Sequence, residues 1–330
     1  MIITQRAYPR AALIGNPSDG YFGKTIAFTF RNFCAEVRLF ETPEFEIQAG
    51  ERDRSRYGNV EEMIAQINRF GYYGGVRLLQ AAVKRFHDHC RQHAIPLEPR
   101  GFTLRYTTSI PPHLGLAGSS AIITACFRAL LEFFGVTVEK PVLANLILES
   151  ETRELGIPAG LQDRVAQVYD CPMFMDFDRQ LIETRGYGNY LPLPPHTLPR
   201  LYVAYRTELA EGSEVLHSNL RYRYNQGDKD VLDAIREWAD LTVRARDLLL
   251  AGRGAELGPL LNRNFDLRRQ VCQLSAGNIE MVETARAAGA SAKFTGSGGA
   301  IIGTYTDEAV FEALAAGLGR IGVHAVKPVL

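Results

Sequence analysis

Between Phe102 and Ser109 apolar and polar residues alternate, with Phe102, Leu104 and Tyr106 on one face and Thr103, Arg105 and Thr107 on the other, the period of a half-buried strand. From Ser119 to Phe134 the chain is apolar almost all round, opens on two serines and stops at Gly135, which predicts a buried helix. The same reading places strands at 11–14, 25–30, 35–40, 171–177, 200–205 and 323–326. Helices are predicted over 59–70, 75–93, 140–151, 228–251, 255–274, 278–288 and 307–318, and a further one begins near Asp163 after an interval broken by Gly156, Pro158 and Gly160. Lys293 to Gly303 reads as a glycine turn leading into a buried strand.

The intervals between these elements carry the candidate chemistry. His113, Leu114, Gly115, Leu116, Ala117, Gly118, Ser119 and Ser120 join the alternating strand to the apolar helix. Such a loop aims unpaired N–H groups and the positive end of a helix dipole at its occupant, and its glycines let an anion approach the backbone. A nucleotide phosphate fits, and so does a plain glycine turn capped by serine; neither of the two common phosphate-loop patterns, G-x-x-x-x-G-K-[ST] and G-x-G-x-x-G, occurs in this loop. An earlier loop, Gly15 to Gly23, has strong turn chemistry, and Asn16, Asp19, Tyr21 and the adjoining Lys24 can also read sugar hydroxyls. Residues 50–58 form a charged connection, readable as a lid or as a solvated loop. Asp163, at a helix start that favours an ionised carboxylate, can cap the helix or can orient and deprotonate a hydroxyl.

Composition narrows the class. A chain of 330 residues, 46% hydrophobic and 22% charged, has room for two modest domains, and the proline-rich stretch Leu191 to His196 suggests a boundary between 1–195 and 196–330. Lys+Arg and Asp+Glu balance at 37 each, so no basic field drives nucleic-acid binding, and small-molecule chemistry is favoured. Five scattered cysteines without a C-x-x-C argue against a disulfide framework. His87, His89 and His93 share a helix, with His89 and His93 at zinc-ligand spacing but no third ligand motif. The N-terminus has no signal-peptide pattern and no run reaches membrane length, so a cytoplasmic protein, bound to neither membrane nor nucleic acid, is expected.

Three segments in order, Pro-Arg-x-x-Leu-Ile-Gly from Pro9, Pro-x-x-x-Gly-Leu-x-x-Ser-Ser-Ala to Ala121, and Phe-Thr-Gly-Ser-Gly-Gly-Ala from Phe294, resemble the signature of the GHMP kinases across nearly the whole chain. The first of them, continued through Asn-Pro-Ser-Asp to Lys24, and the stretch Leu155 to Tyr169 are most similar to the glucuronokinase branch. The resemblance implies an α+β, two-domain fold: an N-terminal α/β domain of the ribosomal-protein type, a C-terminal ferredoxin-like domain, and an active site in the cleft between them. It implies that His113 to Ser120 wraps the phosphates of ATP, that Ser120 and Glu151 hold Mg²⁺, and that Asp163 is the catalytic aspartate, with Lys24 a second candidate catalytic group. It also implies that Gly296, Ser297 and Gly298 close the cleft. The family's Pro-Ser-Gly-x-Asp is here Pro-Ala-Gly-Leu-Gln-Asp, one residue longer before Asp163.

The implied reaction is phosphorylation of D-glucuronate at its anomeric hydroxyl, with a neutral-sugar kinase or a catalytically silent sugar sensor as alternatives. Asn16, Asp19 and Tyr21 are then expected to bind the sugar. A uronic acid needs a fixed cation, and Arg10, Lys24 and Arg206, beside Tyr205, are the candidates.

Overall fold

The computed structural model describes residues 1–50, 53, 74–206 and 213–330, with only the backbone of 213–218. The predicted helix over 59–70, and the charged connection at 50–58 apart from Gly50 and Asp53, lie outside the described residues.

Three four-stranded sheets organise the chain. In chain order the strands are β1 (Ile2–Ala7), β2 (Arg10–Ile14), β3 (Lys24–Thr29), β4 (Ala35–Glu41), β5 (Glu46–Gln48), β6 (Phe102–Thr108), β7 (Met173–Asp176), β8 (Asn189–Pro192), β9 (Leu201–Tyr205), β10 (Lys293–Phe294), β11 (Ala300–Thr304) and β12 (His324–Val326). The first sheet runs β1-β4-β6-β5, with only the β5–β6 pair parallel, and the second runs β2-β3-β7-β8, all antiparallel. The third runs β10-β11-β9-β12; with helices between its first and second strands in chain order and between its third and fourth, this is the ferredoxin-like arrangement.

The alternation at 102–108 does what its period requires. Phe102, Leu104 and Tyr106 are buried against the apolar helix Gly118–Phe134, which packs on β1 and β4. That helix leaves almost no exposed face, as a run apolar all round demands. The long amphipathic helix Lys229–Leu250 crosses from the later part of the chain onto β2 and β3. Its Trp238 is fully buried and donates to the Asn264 carbonyl at 3.0 Å, so one hydrophobic core runs through both halves.

Two predicted helices are divided. The one over 140–151 is α-helical only to Glu149 and continues as a π turn, Ser150–Glu154, where Ser150 and Thr152 hydroxyls donate back to the carbonyls of Leu146 and Leu148. The one over 255–274 splits into a 3₁₀ turn and the helix Gly258–Val271, because Pro259 fits only a first turn. At the expected boundary β8 includes Pro192, tolerated on an edge strand that pairs only with β7. Strands β1 and β5 and the helices Arg179–Arg185 and Ser213–Asn225 have no counterpart in the sequence reading. No helix among the described residues is long and apolar enough to cross a membrane.

Candidate active site

Strand β2 brings the three motif segments together. The Arg10 amide donates to the Leu116 carbonyl at 3.0 Å and the Ala12 amide to the Thr295 carbonyl at 3.1 Å, so one buried strand is hydrogen-bonded to both glycine turns. The Arg10 side chain is buried; it reaches the Thr295 carbonyl with one terminal nitrogen and Asp163 Oδ1, at 2.5 Å, with the other.

The first glycine turn is built by backbone conformation. His113, Gly115 and Ala117 all have positive φ, and Ala117 precedes the helix Gly118–Phe134 with no side chain capping it. Donors at that helix start are therefore left for a ligand. Ser119 is partly exposed there, while Ser120 is buried and donates to the Ala117 carbonyl at 3.2 Å. Leu114 and Leu116 point into the core. A Cβ at Gly115 would stand 2.8 Å from the Ser297 amide nitrogen, so the two turns touch backbone to backbone, and only glycine permits that approach.

The second turn is held from behind by side chains the sequence reading did not single out. Arg268, buried in the helix Gly258–Val271, donates to the carbonyls of Gly296 at 2.7 Å and Ser297 at 2.8 Å, and Asn278 accepts the Gly299 amide at 2.8 Å. Gly298 lies between these anchors. Lys293 is fully buried, donating to the Ala12 carbonyl at 2.7 Å and to Asn16 Oδ1. Burial, with Arg268 and Arg10 nearby, pushes its pKa far down. Asn264 completes the join by accepting the Gly15 amide at 2.7 Å and donating to the Asn16 carbonyl at 3.1 Å.

Asp163 sits in the first turn of the helix Leu161–Tyr169, as its sequence context predicts. Burial alone would raise its pKa, but Arg10 and Arg164 outweigh that and hold it below the usual carboxylate range. Arg164 bridges Asp163 Oδ2, at 3.3 Å, and Glu151, onto whose Oε2 it places two nitrogens. Glu151, buried in the π turn, has its pKa raised by burial against the opposing pull of Arg164. Its Oε1 receives no hydrogen bond among the described residues. Gln167, one turn beyond Arg164, donates to the Ala117 carbonyl at 2.9 Å and so ties the Asp163 helix to the first glycine turn.

Asp19 and Tyr21 lie on the 3₁₀ turn Ser18–Tyr21. A Cβ at Gly160 would stand 2.5 Å from Asp19 Oδ2, which places Asp19 over the entry to the Asp163 helix. Burial and the negative charge of Asp163 raise the Asp19 pKa to about 6. Tyr21 is buried, and its hydroxyl has no hydrogen-bond partner among the described residues.

The remaining candidates are placed differently. Lys24 is ion-paired with Asp176, which already compensates its charge. The Tyr205 ring packs on Phe33 and His324, and the Arg206 side chain lies beside Gly322, with its amide on the Gly299 carbonyl; no contact among the described residues brings either to Asp19 or Asp163. His89 is buried with its ring 4.4 Å from that of His93, and among the described residues no group of three or more His, Cys, Asp or Glu could hold a metal. Hard oxygens at Ser120 and at Glu151 Oε1 nonetheless match a Mg²⁺ ion that takes most of its ligands from phosphates and water.

Residues 77–170 match the family model for the GHMP kinases N terminal domain, and residues 245–323 match that for GHMP kinases C terminal. A probable glucuronokinase 2 from Arabidopsis thaliana is 42% identical over 309 residues, covering 91% of this chain and 84% of the relative. Glucuronokinase 1 of the same plant is 41% identical over 307 residues, with the same coverage of both chains. Among solved structures, phosphomevalonate kinase from Streptococcus pneumoniae superposes with a TM-score of 0.75 at 14% identity, over 99% of this chain and 98% of that one. With glycine turns that face each other across β2, an ionised aspartate beside them, and these matches, the chain belongs to the GHMP kinase family, beside the glucuronokinases.

Proposed function

We propose that the protein transfers the γ-phosphoryl group of ATP to the anomeric hydroxyl of D-glucuronate, giving glucuronate 1-phosphate. The observation that carries this reading is Arg10, which in one residue ties Asp163 to both glycine turns. The identity to glucuronokinases along most of the chain supports the choice of sugar.

Phosphoryl transfer asks little covalent chemistry of a protein; it needs an acceptor oxygen in line with the phosphorus and N–H donors or positive charge on the phosphoryl oxygens. The uncapped start of the helix Gly118–Phe134 supplies donors, and the second turn closes against it. Asp163 accepts the hydrogen of the acceptor hydroxyl and fixes its oxygen. Held ionised by two arginines it is a weak base, which suffices where the transition state is loose and the acceptor proton leaves late. Asp19 and Tyr21 bind the remaining hydroxyls, whereas Asn16, expected to join them, is buried and braces the join between the two halves, accepting from Lys293 and donating to the Phe294 carbonyl at 3.3 Å. Ser120 and Glu151 would hold Mg²⁺, which neutralises phosphate charge when bound.

The test compares kcat/KM for glucuronate, galacturonate, glucose and galactose with ATP and Mg²⁺. Glucuronate is expected to lead glucose by roughly thirtyfold or more, because a site arranged to bind a carboxylate is left unpaired by the neutral sugar. Equal or better use of a neutral hexose would overturn the choice of substrate and leave the kinase class standing. ATP turnover with none of these sugars, alongside sugar binding, would favour the sensor.

A further inference from the structure

We propose that Arg221, on the helix Ser213–Asn225, is the residue that binds the carboxylate of the sugar acid, and so sets the preference for a uronate over the neutral hexose. This rests on the reading of the substrate as glucuronate.

A uronate at this site needs a cation whose charge is not already compensated. Arg10 is bound to Asp163 and the Thr295 carbonyl, Arg164 to Glu151 and Asp163, and Lys24 to Asp176. Arg268 is turned onto two carbonyls, and Lys293 is buried on a carbonyl and an amide oxygen. Arg179, over the Phe22 ring, donates to the Tyr224 hydroxyl at 3.1 Å and stands 3.8 Å from Glu183. Arg221 differs from all of these. It is exposed, makes no hydrogen bond or ion pair among the described residues, and lies with its guanidinium carbon 4.4 Å from the centroid of the Tyr21 ring. A Cβ at Gly20 would stand 3.3 Å from one of its terminal nitrogens, so Arg221 borders the 3₁₀ turn that carries Asp19 and Tyr21.

The order of groups along the site fits the substrate. Asp19 lies over Gly160 at the entry to the Asp163 helix, and Tyr21, in the same 3₁₀ turn as Asp19, carries Arg221 on its ring. A pyranose uronate carries its anomeric oxygen and its carboxylate on either side of the ring oxygen. With the anomeric oxygen on Asp163, the carboxylate falls toward Arg221. Tyr21 packs at a tilt against Tyr224, with ring centroids 4.9 Å and planes 56° apart, and leaves its buried hydroxyl without a partner among the described residues. The Tyr21 ring supports the guanidinium by cation–π contact, which leaves its N–H groups for a carboxylate. An arginine held against a ring in this way is pre-organised, so less rotamer freedom is lost when the carboxylate binds.

The experiment measures kcat and KM of the full chain and of Arg221→Gln and Arg221→Lys, each with glucuronate and with glucose. For Arg221→Gln, kcat/KM with glucuronate is expected to fall roughly thirtyfold, mainly through KM, because a charge-assisted pair is lost. Glucose should stay within about threefold of the parent, since uniform binding of the ring is untouched. Arg221→Lys should fall between, retaining charge without the planar pair. A parallel loss for both sugars would show a structural role and overturn the assignment. Retained preference for glucuronate in Arg221→Gln would also overturn it while leaving the substrate reading intact. A parent protein with no preference for glucuronate would instead overturn the substrate reading, and the carboxylate assignment with it.

Discussion

The two ends of the proposed site are built on opposite plans. At the Asp163 end every charged group is already engaged: Arg10 and Arg164 clamp Asp163, Arg164 also holds Glu151, and Arg10 is anchored on the second glycine turn. At the Asp19 end the groups are left open. Among the described residues Tyr21 has an unpartnered hydroxyl and Arg221 only an aromatic face, and burial together with the charge of Asp163 pushes the Asp19 carboxyl up to about 6. A reaction centre that must not reorganise during phosphoryl transfer benefits from groups fixed in advance, whereas a recognition surface needs groups that the substrate itself completes. The difference teaches that changes at the first end should appear in kcat and changes at the second in KM and in substrate choice.

The largest expected effect is at Asp163. Asp163→Asn keeps the size of the side chain but removes the charge that accepts the hydroxyl proton, and should lower kcat by roughly 10²- to 10⁴-fold with ATP binding largely kept. Steady-state kinetics with ATP binding by calorimetry would check it; a near-normal kcat with a lowered melting temperature would reduce Asp163 to a helix cap. Its arginine partners make some loss of stability expected as well, since an uncompensated buried guanidinium is unfavourable.

A smaller effect sharpens the contrast at the other end. Asp19 accepts sugar hydroxyls best when ionised, and its folded pKa is raised, so the ionised fraction falls as pH drops through about 6. The profile of kcat/KM for the sugar should therefore lose about tenfold per pH unit below that point. In Asp19→Asn the acid limb should shift or vanish at a lower plateau. The stability linkage has the opposite direction: a carboxyl with a raised folded pKa favours the fold below its unfolded value near 4, and that contribution is lost as pH rises through about 6. An acid limb unchanged in Asp19→Asn would assign the titration to another group.

How much of this was legible depended on whether the backbone or a side chain bears the constraint. The glycine turns were readable because Gly115 must take a positive φ and come within contact of Ser297, requirements that only glycine meets and that spacing therefore records. Asp163 was readable because a helix start after Gly160 favours a carboxylate. The Arg268, Asn264 and Lys293 anchors were not, since each is one polar residue in an otherwise ordinary element, and its partner lies elsewhere in the chain: Asn264 binds Gly15, and Lys293 binds Ala12. Lys24 and Arg206 show the converse. Both are cations next to a motif, but Asp176 compensates the first and the second lies beside Gly322. Arg221 belongs to a helix whose weak apolar period gave no signal, so only its position over Tyr21 draws it into the site.

The central claim, transfer of phosphate from ATP to the anomeric oxygen at the Asp163 end, is tested most directly by identifying the product. Glucuronate incubated with the protein, ATP and Mg²⁺ should give one phosphorylated sugar whose phosphorus couples to the anomeric proton in the NMR spectrum and whose reducing end is lost. A phosphate on any other hydroxyl, with the reducing end intact, would contradict the placement of the anomeric oxygen against Asp163.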